Sequence, residues 1–258
     1  MEPVFSTMIM LALKPLDAVK TLASNGLLIE IGFDNFQAFG GKLVEDSMLK
    51  ELLEGSEELK RFVRSIHMPY DEVDVDAVPM DNIVKRMVKW LDYAGALGAR
   101  VAVFHTLVTG SRNPLEVNTE FFRVMTREAM DRGIAVAVEN RLEKNLFGSS
   151  PRDLKKLIES VGEGIGVCLD VGHANIAGNL RQFIESLQGH IIEMHLHDND
   201  GVKDLHRPPQ TGTVDWSYVV SFLKRKQDVL PVFEIICREG VKKCLELAKS
   251  VRSWFLQV

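Results

Sequence analysis

Eight times along this chain, a short apolar run gives way to a stretch whose apolar positions recur at helical spacing. The runs are VFSTMIM, LLIEIGFD, RFVRSIHM, RVAVFHT, IAVAVENR, IGVCLDVGH, HIIEMHLHD and DVLPVFEII. Each is bounded by Gly, Pro or polar residues, and short near-continuous apolar runs mark parallel strands covered on both faces. Helices are predicted between them. In MDNIVKRMVKWLDYAGALGA, for example, Ile83, Met87, Leu91 and Ala94 fall on one face. After the fifth run, Ser150, Pro151 and Asp153 supply an N-cap, a first-turn proline and an acid favoured by the helix dipole. The residues after Asp170 are expected to form a loop, with the sixth helix at NLRQFIESLQG. Gly26, Gly133, Gly162 and Gly189 stop helices ahead of the next strand. Strand–helix alternation predicts a parallel sheet. Eight units predict its closure into a (β/α)8 barrel, a single TIM-barrel domain over residues 1–258.

Side-chain parity gives the strands an inside and an outside. Ala135, Ala137 and Glu139 alternate with Ile134, Val136 and Val138, and Gly166, Cys168 and Asp170 alternate with Ile165, Val167 and Leu169. The bulky face belongs against the helices and the small face inside the barrel, with the acid at its top. An acid facing the helices would be buried without a partner, at a cost of several kcal/mol.

Composition narrows the class. Of 258 residues, 46% are hydrophobic, enough for a full core, and the formal net charge of −5 does not advertise nucleic-acid binding. No apolar stretch approaches the roughly 20 residues of a membrane span. The start of the chain lacks the basic segment and cleavage site of a signal peptide. Cys168, Cys237 and Cys244 are odd in number and lack CxxC spacing, which predicts a reducing, cytoplasmic setting and no disulfide framework.

Six of the runs end in a side chain that can bind a metal. These are His67, His105, Glu139, Asp170, His195 and Glu234. In a barrel the C-terminal strand ends form the floor of the active site, so the six converge. Glu139, Asp170, His195 and Glu234 end successive strands, and three buried acids without a cation would repel one another. A divalent metal resolves that conflict. The oxygen-rich set suits Mg or Mn, and its imidazole admits Zn or Co. Glu30 shares the inward parity, as a substrate group or a support behind the ligands, and His197 lies two past His195. His190 precedes its strand and belongs to the opposite, structural face. Arg141, Lys203 and Arg207 read equally as anchors for an anionic substrate or as surface ion pairs.

The segments CLDVGHANIAG and MHLHDNDGVKDLHRPPQTGTVDW resemble the xylose isomerase-like barrel superfamily, and the resemblance runs along essentially the whole chain. That group includes sugar isomerases, ketose 3-epimerases, inosose dehydratases and endonuclease IV. The resemblance implies a metal set of Glu139, Asp170, His195 and Glu234, with the two glutamates shuttling protons and His173 contacting substrate. It also implies further substrate contacts from His67, His105 and His206. Two positions depart from the ketose 3-epimerase pattern. Asn145 stands where a substrate-binding Glu is expected, and Gly201 where an Arg is expected. The larger endonuclease IV ligand set is also filled, since His67, His105, His173, Asp204 and His206 match its remaining positions as a possible second metal site. Against the nuclease, Thr106 follows His105 where Pro-Gly is expected, and no basic, aromatic-rich insertion is present to hold bent DNA. The expectation is therefore a metal-dependent sugar isomerase or epimerase, with an abasic-site phosphodiesterase as the alternative. Its partner is a small sugar-like molecule and, at most, further copies of the chain, not nucleic acid or a membrane.

Overall fold

The computed structural model describes residues 1–55 and 57–258. Among them, eight parallel strands close into one barrel, in the order they occur along the chain. They are β1 (Val4–Ser6), β2 (Leu28–Ile31), β3 (Val63–His67), β4 (Val101–Phe104), β5 (Ala135–Glu139), β6 (Ile165–Asp170), β7 (Ile191–Leu196) and β8 (Leu230–Phe233). β8 returns to pair with β1. The surrounding helices are α1 (Pro15–Ala23), α2 (Asp34–Ala38), α3 (Glu45–Gly55), α4 (Met80–Ala96), α5 (Pro114–Met130), α6 (Pro151–Val161), α7 (Val171–Ala177), α8 (Leu180–Leu187), α9 (Trp216–Arg225) and α10 (Val241–Gln257). No helix among the described residues is long and apolar enough to cross a membrane.

The parity holds. Val136, Val138, Val167 and Leu169 join the large core between sheet and helices, while Val103, Ala137 and Cys168 form a small separate cluster inside the barrel. Small inner side chains leave space there, and polar groups fill it. Glu30, Ser65, Glu193 and His195 are all fully buried. This interior differs from the Val, Ile and Leu layers that usually fill such barrels.

Three expectations change. The first run is a strand only as far as Ser6. It then tightens into a 3-10 turn, Thr7–Met10, capped by the Ser6 hydroxyl, which accepts from the Met8 N–H. The residues after Asp170 are not a loop but helix α7, capped by Asp170 itself. Cys237 and Cys244 are disulfide-bonded, leaving Cys168 as the free thiol. The odd count concealed this pair, which ties the segment after β8 to the start of α10.

Candidate functional site

The C-terminal ends of the strands gather the expected residues. One ligand atom from each of Glu139, Asp170, His195 and Glu234 lies within 4.8 Å of the others. Register explains the proximity. Asp170 is paired with His195 across β6 and β7, and Glu139 with Cys168 one layer lower across β5 and β6. Asp170 and His195 are fully buried and form the floor. Glu139 and Glu234 stand above them and line a cavity of about 340 Å³, within the roughly 300–1,000 Å³ range of small-molecule sites.

The floor is held from below and from the side. His195 Nε2–H donates to Glu30 at 3.3 Å, and the Ser65 hydroxyl donates to the same oxygen at 3.1 Å. The other imidazole nitrogen, Nδ1, is buried without a hydrogen-bond partner. It lies 3.5 Å from Glu139 and 3.3 Å from Glu234. An unpartnered imidazole nitrogen beside two carboxylates is a fit for a cation, because a buried polar atom otherwise carries its full desolvation cost. Glu30 therefore lies behind the ligands, outside the substrate cavity.

Asp170 is fixed three ways. Its carboxylate accepts the His173 N–H at 2.7 Å, which caps α7, and accepts from His197 Nε2–H at 3.0 Å. Its own N–H donates to the Asn140 side chain at 2.7 Å. His197 thus supports Asp170 and does not line the cavity. Its ring stacks on that of His206, with centroids 3.9 Å apart.

Four more histidines surround the cavity. His67 Nε2 and His105 Nε2 lie 3.0 and 2.8 Å from one oxygen of Glu139. His173 Nδ1–H donates to the Asn140 carbonyl, and His206 Nδ1–H to the Glu234 carbonyl, each at 3.0 Å. The Nε2 atoms of both face Asp204, at 3.4 and 3.1 Å. Asp198 ties down the loop after β7 that carries Asp204 and His206. Its carboxylate accepts from the N–H groups of Asn199, Thr211, Gly212 and Val214 and from the Trp216 indole. A side chain at Gly212 would collide with the Asn199 carbonyl. His206 itself takes φ 44°, a strained value for a residue other than glycine.

The charges are strongly perturbed. Burial opposes ionisation of Glu139, but His105 and His195 outweigh it and hold the carboxyl well below its ordinary range. Burial pushes Glu234 up to about 8, aided by Glu30 and Glu139. Burial also works against protonation of His67, His173 and His206, yet the carboxylates around them raise these rings to about 9, 10 and 9.

Some contributors were not legible as site residues. The Tyr70 ring lines the cavity and stacks on His105, and its hydroxyl donates to Asp34 at 2.7 Å. Tyr70 lies in the loop past β3 and Asp34 at the start of α2, and nearness to a strand end is their only sequence signal. Among the cationic candidates, Arg141 is half-buried and fixed to His105 and Glu143. Lys203 and Arg207 do not line the cavity. Neither does Asn145.

Residues 26–256 match the family model described as xylose isomerase-like TIM barrel. Among curated proteins, Uncharacterized protein MJ1311 of Methanocaldococcus jannaschii is 35% identical over 101 residues, covering 37% of this chain and 34% of that one. Uncharacterized protein y4fM of Sinorhizobium fredii is 28% identical over 139 residues, covering 50% of this chain and 44% of that one. The chain therefore spans less than half the length of either relative. Among solved structures, a D-tagatose 3-epimerase-like protein superposes with a TM-score of 0.79 at 22% identity, over 100% of this chain and 99% of that one. An IolI protein with a binding zinc atom gives 0.72 at 18%, over 99% and 98%. The 3-keto-D-glucoside 4-epimerase YcjR from E. coli gives 0.71 at 19%, over 93% and 94%. At such identities the structural likeness shows the fold.

Proposed function

The chain belongs to the xylose isomerase-like TIM barrel family, and from that premise we propose that its single domain is a divalent-metal-dependent isomerase or epimerase of a small, uncharged sugar or polyol. The observation that carries this reading is the quartet itself, with the orphaned His195 Nδ1 facing Glu139 and Glu234. Asp170 and His195 would hold the ion from the floor, and the two glutamates from the cavity side. Mn, Mg, Co and Zn all suit this mixed oxygen–nitrogen set. The zinc in the IolI structure supports a cation here. When bound, the ion polarises a carbonyl and its neighbouring hydroxyl, which acidifies the C–H between them.

Glu139 and Glu234 both reach the cavity. One of the two carboxylates takes the carbon-bound proton and the other returns one, the pairing of base and acid that an isomerisation or epimerisation needs. His173 and His206, anchored through Nδ1, present their other nitrogen with Asp204 to substrate hydroxyls. The cavity offers no free cation for a phosphate among the described residues, because Arg141 is already matched by Glu143. Tyr70 supplies an aromatic face of the kind sugars stack on.

The nine gathered carboxylates and histidines also favour a second reading, a polynuclear phosphodiesterase acting on abasic DNA. The same neutralised Arg141 weighs against it. The test is incubation with Mn²⁺ and a panel of ketoses in D₂O, followed by NMR. A new sugar isomer carrying deuterium next to the carbonyl is expected, with loss on chelation and in Glu139→Gln or Glu234→Gln. Near-wild-type turnover in either variant overturns the acid–base assignment. Cleavage of an abasic-site duplex, with no exchange on any ketose, overturns the sugar reading.

A further inference from the structure

We propose that Arg141 is a positioning residue that locks His105 as a hydrogen-bond donor to Glu139 and so keeps it from serving as a metal ligand. This inference rests on the metal reading above and sharpens it, because His67, His105 and Glu139 otherwise offer three ligand atoms to a second ion.

A neutral imidazole carries one proton, and the partner of one nitrogen decides which nitrogen that is. His67 Nδ1 lies 3.0 Å from the Met68 carbonyl, which can only accept. Nδ1 therefore carries a proton, so Nε2, which shares a second proton with Glu139 at 3.0 Å, can release it to a cation and leave a neutral ring. His173 and His206 face backbone carbonyls in the same way. His195 runs in the opposite sense, with Nε2 against Glu30 and Nδ1 free toward the quartet. Each of these rings is oriented by an acceptor behind it, the arrangement that frees the other nitrogen for a metal.

His105 is the exception. Its Nδ1 lies 2.8 Å from Arg141 Nη1, and a guanidinium can only donate. Nδ1 must accept, so the proton sits on Nε2, 2.8 Å from Glu139. A protonated nitrogen has no lone pair for a cation. Arg141 cannot easily turn away, because Glu143 holds its other edge at 3.2 and 3.3 Å, and a fork bound on two sides is geometrically fixed. His67 and His105 thus reach the same Glu139 oxygen through the same nitrogen but with opposite partners behind them, a carbonyl that accepts and a guanidinium that donates. The corner presents a donor to the carboxylate where a second ion would need a ligand.

The test is two-bond ¹H–¹⁵N correlation of histidine-labelled protein, first metal-free and then titrated with Zn²⁺ alone, with His105 assigned by loss of its signals in His105→Gln. The wild type is expected to show His105 protonated at Nε2 throughout the titration, while His195 Nδ1 moves to a metal-bound position. Arg141→Met is expected to free His105 Nδ1, so that it takes a proton as well. His105→Gln is expected to bind as many zinc equivalents as the wild type. A wild-type His105 protonated at Nδ1, or metal-bound at Nε2 at zinc saturation, overturns the proposal, as does a lost zinc equivalent in His105→Gln. If Arg141→Met does not fold, the wild-type spectra still decide. If zinc leaves His195 unmoved, the metal reading fails separately, and the metal-free spectrum alone still reports on the Arg141 lock.

Discussion

Asp170 concentrates more roles than any other side chain at the site. It caps α7, accepts from His197 and contributes to the quartet. Asp170→Asn keeps the shape but removes a charge that no neighbour can replace. Metal affinity should fall by more than the roughly 10–100-fold typical of changes behind the ligands, and the purified variant should be metal-free by elemental analysis. His206 sits at a different tier. It belongs to the loop after β7 and faces Asp204, so His206→Ala should retain at least one ion and lose mainly substrate affinity or turnover. Full metal loss in His206→Ala, or full retention in Asp170→Asn, would reverse this ranking.

At the level of elements, the support of Asp170 depends on how closely β6, α7 and β7 approach. His197, just past β7, reaches Asp170 across the first turn of α7, at Gly172. A Cβ at Gly172 would collide with His197 Cε1. Neither strand can yield without slipping the β6–β7 register that pairs Asp170 with His195. Gly172→Ala should therefore weaken zinc binding about 10–100-fold, the range for lost outer support. His197→Ala should cost a similar factor, and the double variant no more than the worse single one, because both remove the same support. Additive losses in a zinc titration would show that the two act independently. This junction also marks how far the sequence could be read. Strand ends were legible because buried parallel strands are apolar throughout and stop at a polar residue, as at Glu139 and Asp170. The helix at Val171–Ala177 was not, because its small residues lack an apolar stripe and its cap doubles as a candidate ligand. Tyr70 and Asp34 were missed because neither a loop nor the first residue of a five-residue helix carries a periodic signal. The restraint on the loop after β7 lies in Asp198, whose backbone partners leave no pattern of side chains.

Over the whole molecule, the barrel interior is an ionisable network, and its proton balance ties stability to pH. Burial, with Glu30 beside both, raises Glu193 and Glu234 to about 8. Folding thus takes up protons that the unfolded chain releases at ordinary carboxylate values. That contribution is present in acid and is lost as pH rises toward about 8. The raised histidines add a contribution that is full below their usual range near 6.5 and gone once pH passes about 9–10. The opposing groups are Glu30, at about 2, and Glu139, Asp170 and Asp204, all lowered against burial by neighbouring histidines. Their contribution is present above the ordinary carboxylate range and fails only as pH falls through it. Metal-free protein should therefore be most stable in mild acid and should lose thermal stability from about pH 6.5 to 9, as raised groups give up their protons. A divalent ion replaces those protons and binds only the folded chain, so its stabilisation should grow over the same interval. Thermal unfolding of chelator-treated and Mn²⁺-saturated protein, compared at about pH 6 and 9, measures both effects. A metal-free protein more stable at the higher pH, with a metal-induced gain that does not change, would mean that the strand-end cluster does not exchange protons for a cation.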